Sequence, residues 1–112
     1  MVDQERLQAA FGKIHDRMIK ADGSPVLPDW TRQIVFHFPD LQQYWLLEVV
    51  NGQPQSLTAL EEAPETEVQI TMSSDTFVKL MEKTLSGFVA MTRGLVKVKA
   101  SMGDMRRMQV FM

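Results

Sequence analysis

The chain is short, slightly acidic and free of cysteine, and these properties exclude several classes of protein. Its 112 residues carry a formal net charge of −2 and suffice for a single domain, which we expect to span residues 1–112. Without cysteine there are no disulfides, thiolate nucleophiles or thiolate metal ligands. No apolar run approaches the roughly 20 residues of a membrane-spanning helix, and the acidic N-terminus is unlike a secretory signal, so we expect a soluble, cytoplasmic protein.

A helix is predicted over residues 3–20. Its apolar side chains recur every three or four residues, at Leu7, Ala10, Phe11, Ile14 and Met18. Asp3 can cap the start, because its carboxylate accepts a hydrogen bond from a free backbone N–H of the first turn. Glycine and proline in Ala21–Pro25 end the helix.

Three strands are predicted next, because the apolar period changes from about 3.6 residues to 2. They span Arg32–Phe38, Gln43–Val50 and Gln55–Leu60. Asn51-Gly52, between the second and the third, is the strongest local signal in the chain. This dipeptide tolerates positive φ and therefore predicts a two-residue hairpin.

The C-terminal half alternates strands and helices. After the acidic connection Glu61–Glu67, the predicted elements are a strand over Val68–Met72, a helix over Asp75–Lys83, a helix over Gly87–Thr92 and a strand over Leu95–Ala100. Together, the elements predict an α+β fold with a single five-stranded, largely antiparallel sheet covered by helices. The first four strands follow one another through short connections, which favours an antiparallel meander.

Methionine is concentrated in the last quarter of the chain. Five of the nine methionines lie between Met91 and Met112. A final helix is predicted after Gly103, with Met105, Met108 and Met112 on one side. Because methionine is flexible and polarizable, a wall of methionines accepts ligands of different shapes. Composition leaves two interpretations open: these residues fill a small core, or they line an apolar binding site.

No catalytic constellation is visible in the sequence. His15 and His37 lack metal-ligand spacing, and no phosphate loop or nucleophile motif is present. We therefore expect no enzymatic activity, no metal and no cofactor.

Positive charge is concentrated towards the C-terminus. Residues 1–72 carry 5 Lys/Arg and 11 Asp/Glu, whereas residues 73–112 carry 7 and 3. The basic patch consists of Arg93, Lys97, Lys99, Arg106 and Arg107. No aromatic side chain interleaves with it, which argues against nucleic-acid binding. The patch either solubilises the protein or contacts an anionic lipid head group or an anionic membrane transiently.

The most characteristic stretches of the chain are Val35–Phe38, Tyr44–Val49 with Asn51-Gly52, and Val68–Ser73, which leads into Asp75–Met81 and then Ala90–Lys99. With these stretches, nearly the whole chain from Ile34 onward resembles the sterol carrier protein type two family, also called non-specific lipid-transfer proteins. Two positions depart from the family's pattern. Leu95 stands where lysine is usual, and Ala100-Ser101 replaces the usual Gly-Asp.

The resemblance implies an apolar tunnel between the sheet and the C-terminal helices. In the family this tunnel binds sterols, fatty acids, fatty acyl thioesters and related lipids without transforming them, and an isoprenoid is a further candidate ligand. The residues expected to line it are Phe77, Leu80, Met81, Phe88, Met91, Val96, Met102, Met105, Met108 and Phe111. The same module also occurs as an appended domain in larger enzymes. An accessory role, in which an apolar groove binds a partner protein or a second copy of the chain as a homodimer, therefore stays open.

Overall fold

Residues 2–111, the part of the chain that the computed structural model describes, form four helices and five strands. In chain order these are α1 (Gln4–Met18), β1 (Arg32–Phe38), β2 (Gln43–Val50), β3 (Gln53–Leu60), β4 (Val68–Thr71), α2 (Ser74–Met81), α3 (Gly87–Thr92), β5 (Lys97–Lys99) and α4 (Met102–Met108). The predicted α+β fold with one five-stranded, mostly antiparallel sheet is confirmed. The methionine placed on the last helix at Met112 lies outside the described residues.

The sheet order is β3-β2-β1-β4-β5, so the predicted meander is right for the first three strands and wrong for β4. β4 pairs in parallel with β1, with Val68 beside Ile34 and Ile70 beside Phe36. Burial explains this choice. Val68 and Ile70 are at most 1% exposed beside β1, whereas β3 has no buried residue and would leave them near solvent. The carboxylate of Glu67 accepts a hydrogen bond from the backbone N–H of Gln33 at 2.9 Å, which fixes the start of β4 beside β1.

An aromatic cluster fills the space between the sheet, α1 and α2. The ring of Phe11 lies 4.7 Å from that of Phe77 and 5.1 Å from that of Phe36, centroid to centroid. Phe38 and Trp45 also contact Phe11. Such aromatic pairs each add about 0.5–1.5 kcal/mol to the free energy of unfolding beyond their buried area. The cluster therefore stabilises the packing of α1 and α2 on the sheet, and it does so independently of α3 and α4.

The Asn51-Gly52 hairpin packs against the loop between α1 and β1. Both residues have positive φ, 50° and 78°. The backbone N–H of Gly52 donates to the carbonyl oxygen of Trp30 at 2.7 Å, and a Cβ at this position would lie 2.1 Å from the carbonyl oxygen of Leu27. Glycine is therefore required here for both conformation and space. The contact fixes the backbone of Trp30, whose indole reaches α4.

Candidate binding cleft

An apolar cleft lies between the edge of the sheet at β5 and the helices α3 and α4. Its volume is about 510 Å³, within the roughly 300–1,000 Å³ typical of small-molecule sites. The wall consists of Leu80, Gly87, Phe88, Met91, Val96, Val98, Met105, Met108 and Gln109. Among residues 2–111, Gln109 carries the one polar side chain in this wall. We refer to this set of residues as the apolar cleft.

The helix α3 forms a half-open side of the cleft. Ser86 caps it by accepting a hydrogen bond from the backbone N–H of Val89 at 3.1 Å. Ala90 is its one buried residue, whereas Phe88 is 79% exposed and Met91 is 51% exposed. Two large apolar side chains of the wall therefore face both the cleft and solvent.

The ten side chains named from the sequence divide into three groups. Six belong to the wall of the apolar cleft: Leu80, Phe88, Met91, Val96, Met105 and Met108. Phe77, Met81 and Phe111 are at most 1% exposed within the core cluster and lie outside the wall. Met102 is 72% exposed at the start of α4 and also lies outside the wall. Helical periodicity cannot make this division, because it identifies an apolar face and not the atoms opposite that face.

Three wall residues were absent from the sequence-based set: Gly87, Val98 and Gln109. Val98 had a usable signal, because it alternates with Lys97 and Lys99 and shares a face with Val96. Gly87 and Gln109 have no apolar side chain, and nothing local in the sequence indicates that they border the cleft.

A buried carboxylate, Asp104, fastens α4 to the body of the protein. Its side chain accepts a hydrogen bond from the indole N–H of Trp30 at 2.8 Å and another from Nε of Arg32 at 3.0 Å. Asp104 is 3% exposed. Ser101 caps the helix by accepting from the backbone N–H of Asp104 at 3.1 Å. The corner at Ala100-Ser101 thus starts α4 with a capping residue in the usual position.

The pKa of Asp104 lies below its ordinary value. Burial by itself raises this pKa, but the hydrogen bonds from Trp30 and Arg32, together with the positive charge of Arg32, lower it further than burial raises it. Asp104 is thus ionised at neutral pH. Asp104 is not among the side chains named from the sequence, although the Ser-x-x-Asp spacing of Ser101 and Asp104 is a recognisable helix-start signal.

The side chains of the basic patch project in different directions. Lys97 and Lys99 alternate with Val98 along β5, so their side chains project from the sheet face opposite the apolar cleft. Lys99 borders a surface cavity together with Glu65 and Glu67. On α4, Nη1 of Arg107 lies 3.6 Å from Oδ1 of Asp104.

His37 lies on the sheet face away from the cleft, where its ring stacks on that of Tyr44 at a centroid distance of 4.4 Å. Within residues 2–111, no group of three or more His, Asp or Glu side chains could hold a metal ion. In the same part of the chain, no helix has both the length and the apolar character needed to cross a membrane.

Comparison with solved structures identifies the fold as that of sterol carrier proteins. Sterol carrier protein 2 from Aedes aegypti, solved in complex with palmitate, has a TM-score of 0.69 and 17% identity, covering 99% of this chain and 96% of that chain. Sterol carrier protein 2 like 2 from the same organism has a TM-score of 0.66 and 12% identity, covering 96% and 95%. At these identities the likeness concerns the fold alone.

Residues 11–112 match the SCP-2 sterol transfer family, and the chain belongs to this family. No curated protein sequence matches the chain. The fold is also part of a larger enzyme, an inverting sec-alkylsulfatase from Pseudomonas sp., with a TM-score of 0.61 and 16% identity over 90% of this chain. The present chain spans only 14% of that sulfatase.

Proposed function

We propose that the chain acts as one cytoplasmic, non-catalytic domain that binds a long-chain lipid in the apolar cleft and carries it. The observation that carries this proposal is the cleft itself, about 510 Å³ in volume with one polar side chain, Gln109, in its wall. Membership of the SCP-2 sterol transfer family supports the same conclusion. A fatty acid, a fatty acyl thioester, an isoprenoid or a sterol-like molecule would suit such a wall.

The free energy of transfer favours an occupied cleft. Each methylene that a ligand moves from water into apolar surroundings contributes about 0.8 kcal/mol before the loss of ligand freedom is subtracted. Burial of the wall side chains contributes as well, because a bound lipid would cover part of the exposed surface of Phe88 and Met91. The methionines can change rotamer at little cost, so the wall can fit more than one chain length or ring system.

Transfer requires a place where lipid enters and leaves, and we assign it to the α3 side of the cleft. Phe88 of α3 is the most exposed large apolar side chain among residues 2–111, at 79%, and Met102 at the start of α4 follows at 72%. Arg93 and Arg106 are exposed on the same two helical segments, and cations beside apolar side chains suit an anionic membrane surface. Lys97, Lys99 and Arg107 would add to the attraction to this membrane surface through their long-range charge.

An accessory role is the second candidate. The exposed Phe88 and Met102 would equally suit a partner helix or a second copy of the chain. The alkylsulfatase is an example of this fold working within a larger protein. Native mass spectrometry of protein purified from cells separates the candidates: bound lipid supports the carrier, whereas a lipid-free dimer supports the accessory module.

A melting-temperature series with a cleft-blocking variant tests the carrier directly. Saturating lipid at 100 times its Kd stabilises the folded state by about 2.7 kcal/mol. Val98→Phe places a ring in the cleft and should abolish that stabilisation. Val50→Phe is the matched control, because Val50 is 42% exposed at the end of β2, outside the wall. If neither the parent protein nor Val50→Phe is stabilised by any long-chain lipid, the carrier proposal is wrong.

A further inference from the structure

A second cavity, about 420 Å³ in volume, adjoins the apolar cleft and has a different chemistry. The two cavities share Leu80, Gly87 and Gln109 in their walls. The second wall also contains Arg17 and Lys83 and, among residues 2–111, no acidic residue. We call it the cationic cavity, defined by Arg17 and Lys83 beside those three shared residues.

Arg17 is held in a fixed position beside this cavity. Its Nη2 donates to the carbonyl oxygen of Met81 at 2.8 Å, and its Nη1 donates to that of Phe111 at 3.0 Å. A third, weaker contact joins Nη1 to Sδ of Met81 at 3.7 Å. A guanidinium has about five N–H donors in a planar fork, so these three contacts within residues 2–111 leave two donors for an anion.

The positive charges of the cationic cavity are not neutralised by the described part of the chain. Within residues 2–111, no carboxylate lies at ion-pair distance from Arg17 or Lys83; the five pairs present involve other cations. Arg17 is half-buried, and a half-buried cation is stabilised by an anion more than an exposed one is. Lys83 is exposed in the turn after α2 with φ 62°.

We propose that the cationic cavity binds the anionic head group of the lipid, a carboxylate or a phosphate, while the apolar tail occupies the apolar cleft. This inference rests on the proposed lipid binding and adds the ligand's charge and orientation. Arg17 supplies the preorganised planar donor and Lys83 a mobile point charge. An amphiphile oriented in this way has its head beside the end of α2 and not at the cations of α3, β5 and α4.

The test measures the affinity of three probes with one tail, at concentrations below micelle formation: palmitate, its uncharged methyl ester, and hexadecyl phosphate. Lys83→Gln removes a charge at an exposed side chain that has no ion pair among the described residues. It should lower the affinity for both anionic probes about three- to fivefold and leave the affinity for the ester unchanged. Lys97→Gln is the matched control, the same substitution on the opposite sheet face, and should change none of the three affinities.

Arg17→Lys provides a second variant, since it keeps the charge and loses the planar fork. It should lower the affinity for the anionic probes roughly tenfold or more. Thermal melting checks that the variant is folded. Higher salt should reduce the preference for anions, because exposed charges are screened. Tighter binding of palmitate than of hexadecyl phosphate identifies a carboxylate as the natural head group, and the reverse order identifies a phosphate.

Two results would overturn the inference while leaving the carrier role intact. One is equal affinity of the parent protein for palmitate and its methyl ester. The other is a larger loss of anion affinity in Lys97→Gln than in Lys83→Gln, which would move the head group to the basic patch. If the parent protein binds none of the three probes, the proposed function and this inference are both wrong.

Discussion

Two halves of the molecule differ in how they are held together. The first half is the part that contains α1 and α2. These helices pack an aromatic cluster against the sheet, and each of them buries at least five side chains. The second half is the part that contains α3 and α4. Here α3 buries only Ala90, and α4 buries only Asp104 and Met108. The second half therefore has few buried contacts per turn of helix, which lowers its local stability relative to the first.

The difference explains why one apolar composition serves two purposes. Aromatic rings in the first half have fixed partners on all sides and act as core. Methionine and phenylalanine side chains in the second half border the apolar cleft and keep part of their surface free. We expect substitutions in the first half to change stability most, and substitutions in the second half to change ligand binding most.

Phe77→Ala should have the largest effect. The ring is fully buried and contacts Phe11, Phe36 and Phe38, and a buried Phe→Ala change lowers the free energy of unfolding by about 3–5 kcal/mol. Chemical denaturation of ligand-free protein measures the loss. A loss below about 1 kcal/mol would mean that Phe77 borders open space and that the two halves are not distinct.

One substitution made in both halves tests the comparison directly. Met81→Ala removes a side chain that is 1% exposed in the core and should destabilise the protein by about 2–5 kcal/mol. Met105→Ala removes a half-buried side chain from the cleft wall. It should destabilise by less than about 1 kcal/mol but weaken lipid binding. Similar stability losses in both variants would contradict the division.

Asp104→Asn should loosen the second half while leaving the first intact. Loss of charge-assisted hydrogen bonds to Trp30 and Arg32 should lower stability by about 1.5–3 kcal/mol. Hydrogen exchange should become faster in α4 and not in α1. Asp75→Asn is the control, because its ion pair with Lys79 is solvent-exposed and contributes only about 0.3–0.5 kcal/mol.

The same carboxylate predicts the response to acid. The pKa of Asp104 is lowered in the folded state, from about 3.9 in an unfolded chain. Its stabilising contribution is therefore complete above about pH 5 and is lost as the pH falls through the folded-state pKa. Unfolding free energies measured from pH 7 to pH 3 should fall less steeply in Asp104→Asn than in the parent. Asp40, whose pKa is lowered by hydrogen bonds from Ser74 that outweigh burial, should keep part of the slope in both proteins.

Phe88→Ser should have the smallest effect on stability. A side chain that is 79% exposed is expected to change the free energy of unfolding by at most about 0.5 kcal/mol. Transfer of lipid between anionic vesicles should slow, because the exposed ring is the proposed membrane contact. Unchanged transfer would place the membrane contact elsewhere.

Local patterns in the sequence predicted most of the elements because the forces that form them are local. Asp3, Ser73 and Ser86 each accept a hydrogen bond from a backbone N–H of the first turn of their helix, and Asn51-Gly52 adopts the positive φ angles of its hairpin. The alternation of β1 puts Ile34, Phe36 and Phe38 on one buried face, although Val35 on the opposite face is buried as well. None of these features requires knowledge of distant residues.

The position of β4 could not be predicted in the same way. Its residues alternate as a half-buried strand does, which is equally compatible with pairing to β3 or to β1. The choice depends on the total apolar area buried, and β3 is an edge strand without a buried residue. Pairing beside Ile34 and Phe36 buries Val68 and Ile70 completely.

The methionine-rich last quarter of the chain shows which properties follow from local sequence and which depend on the tertiary structure. The sequence determined that its apolar side chains lie on one face of short capped helices, because periodicity and capping act within a few residues. Only the tertiary structure decided that Phe77, Met81 and Phe111 have atoms packed against them while Phe88, Met91 and Met105 border a cleft. Core and cleft walls use the same apolar residues, and what separates them is the presence or absence of a packing partner brought from elsewhere in the chain.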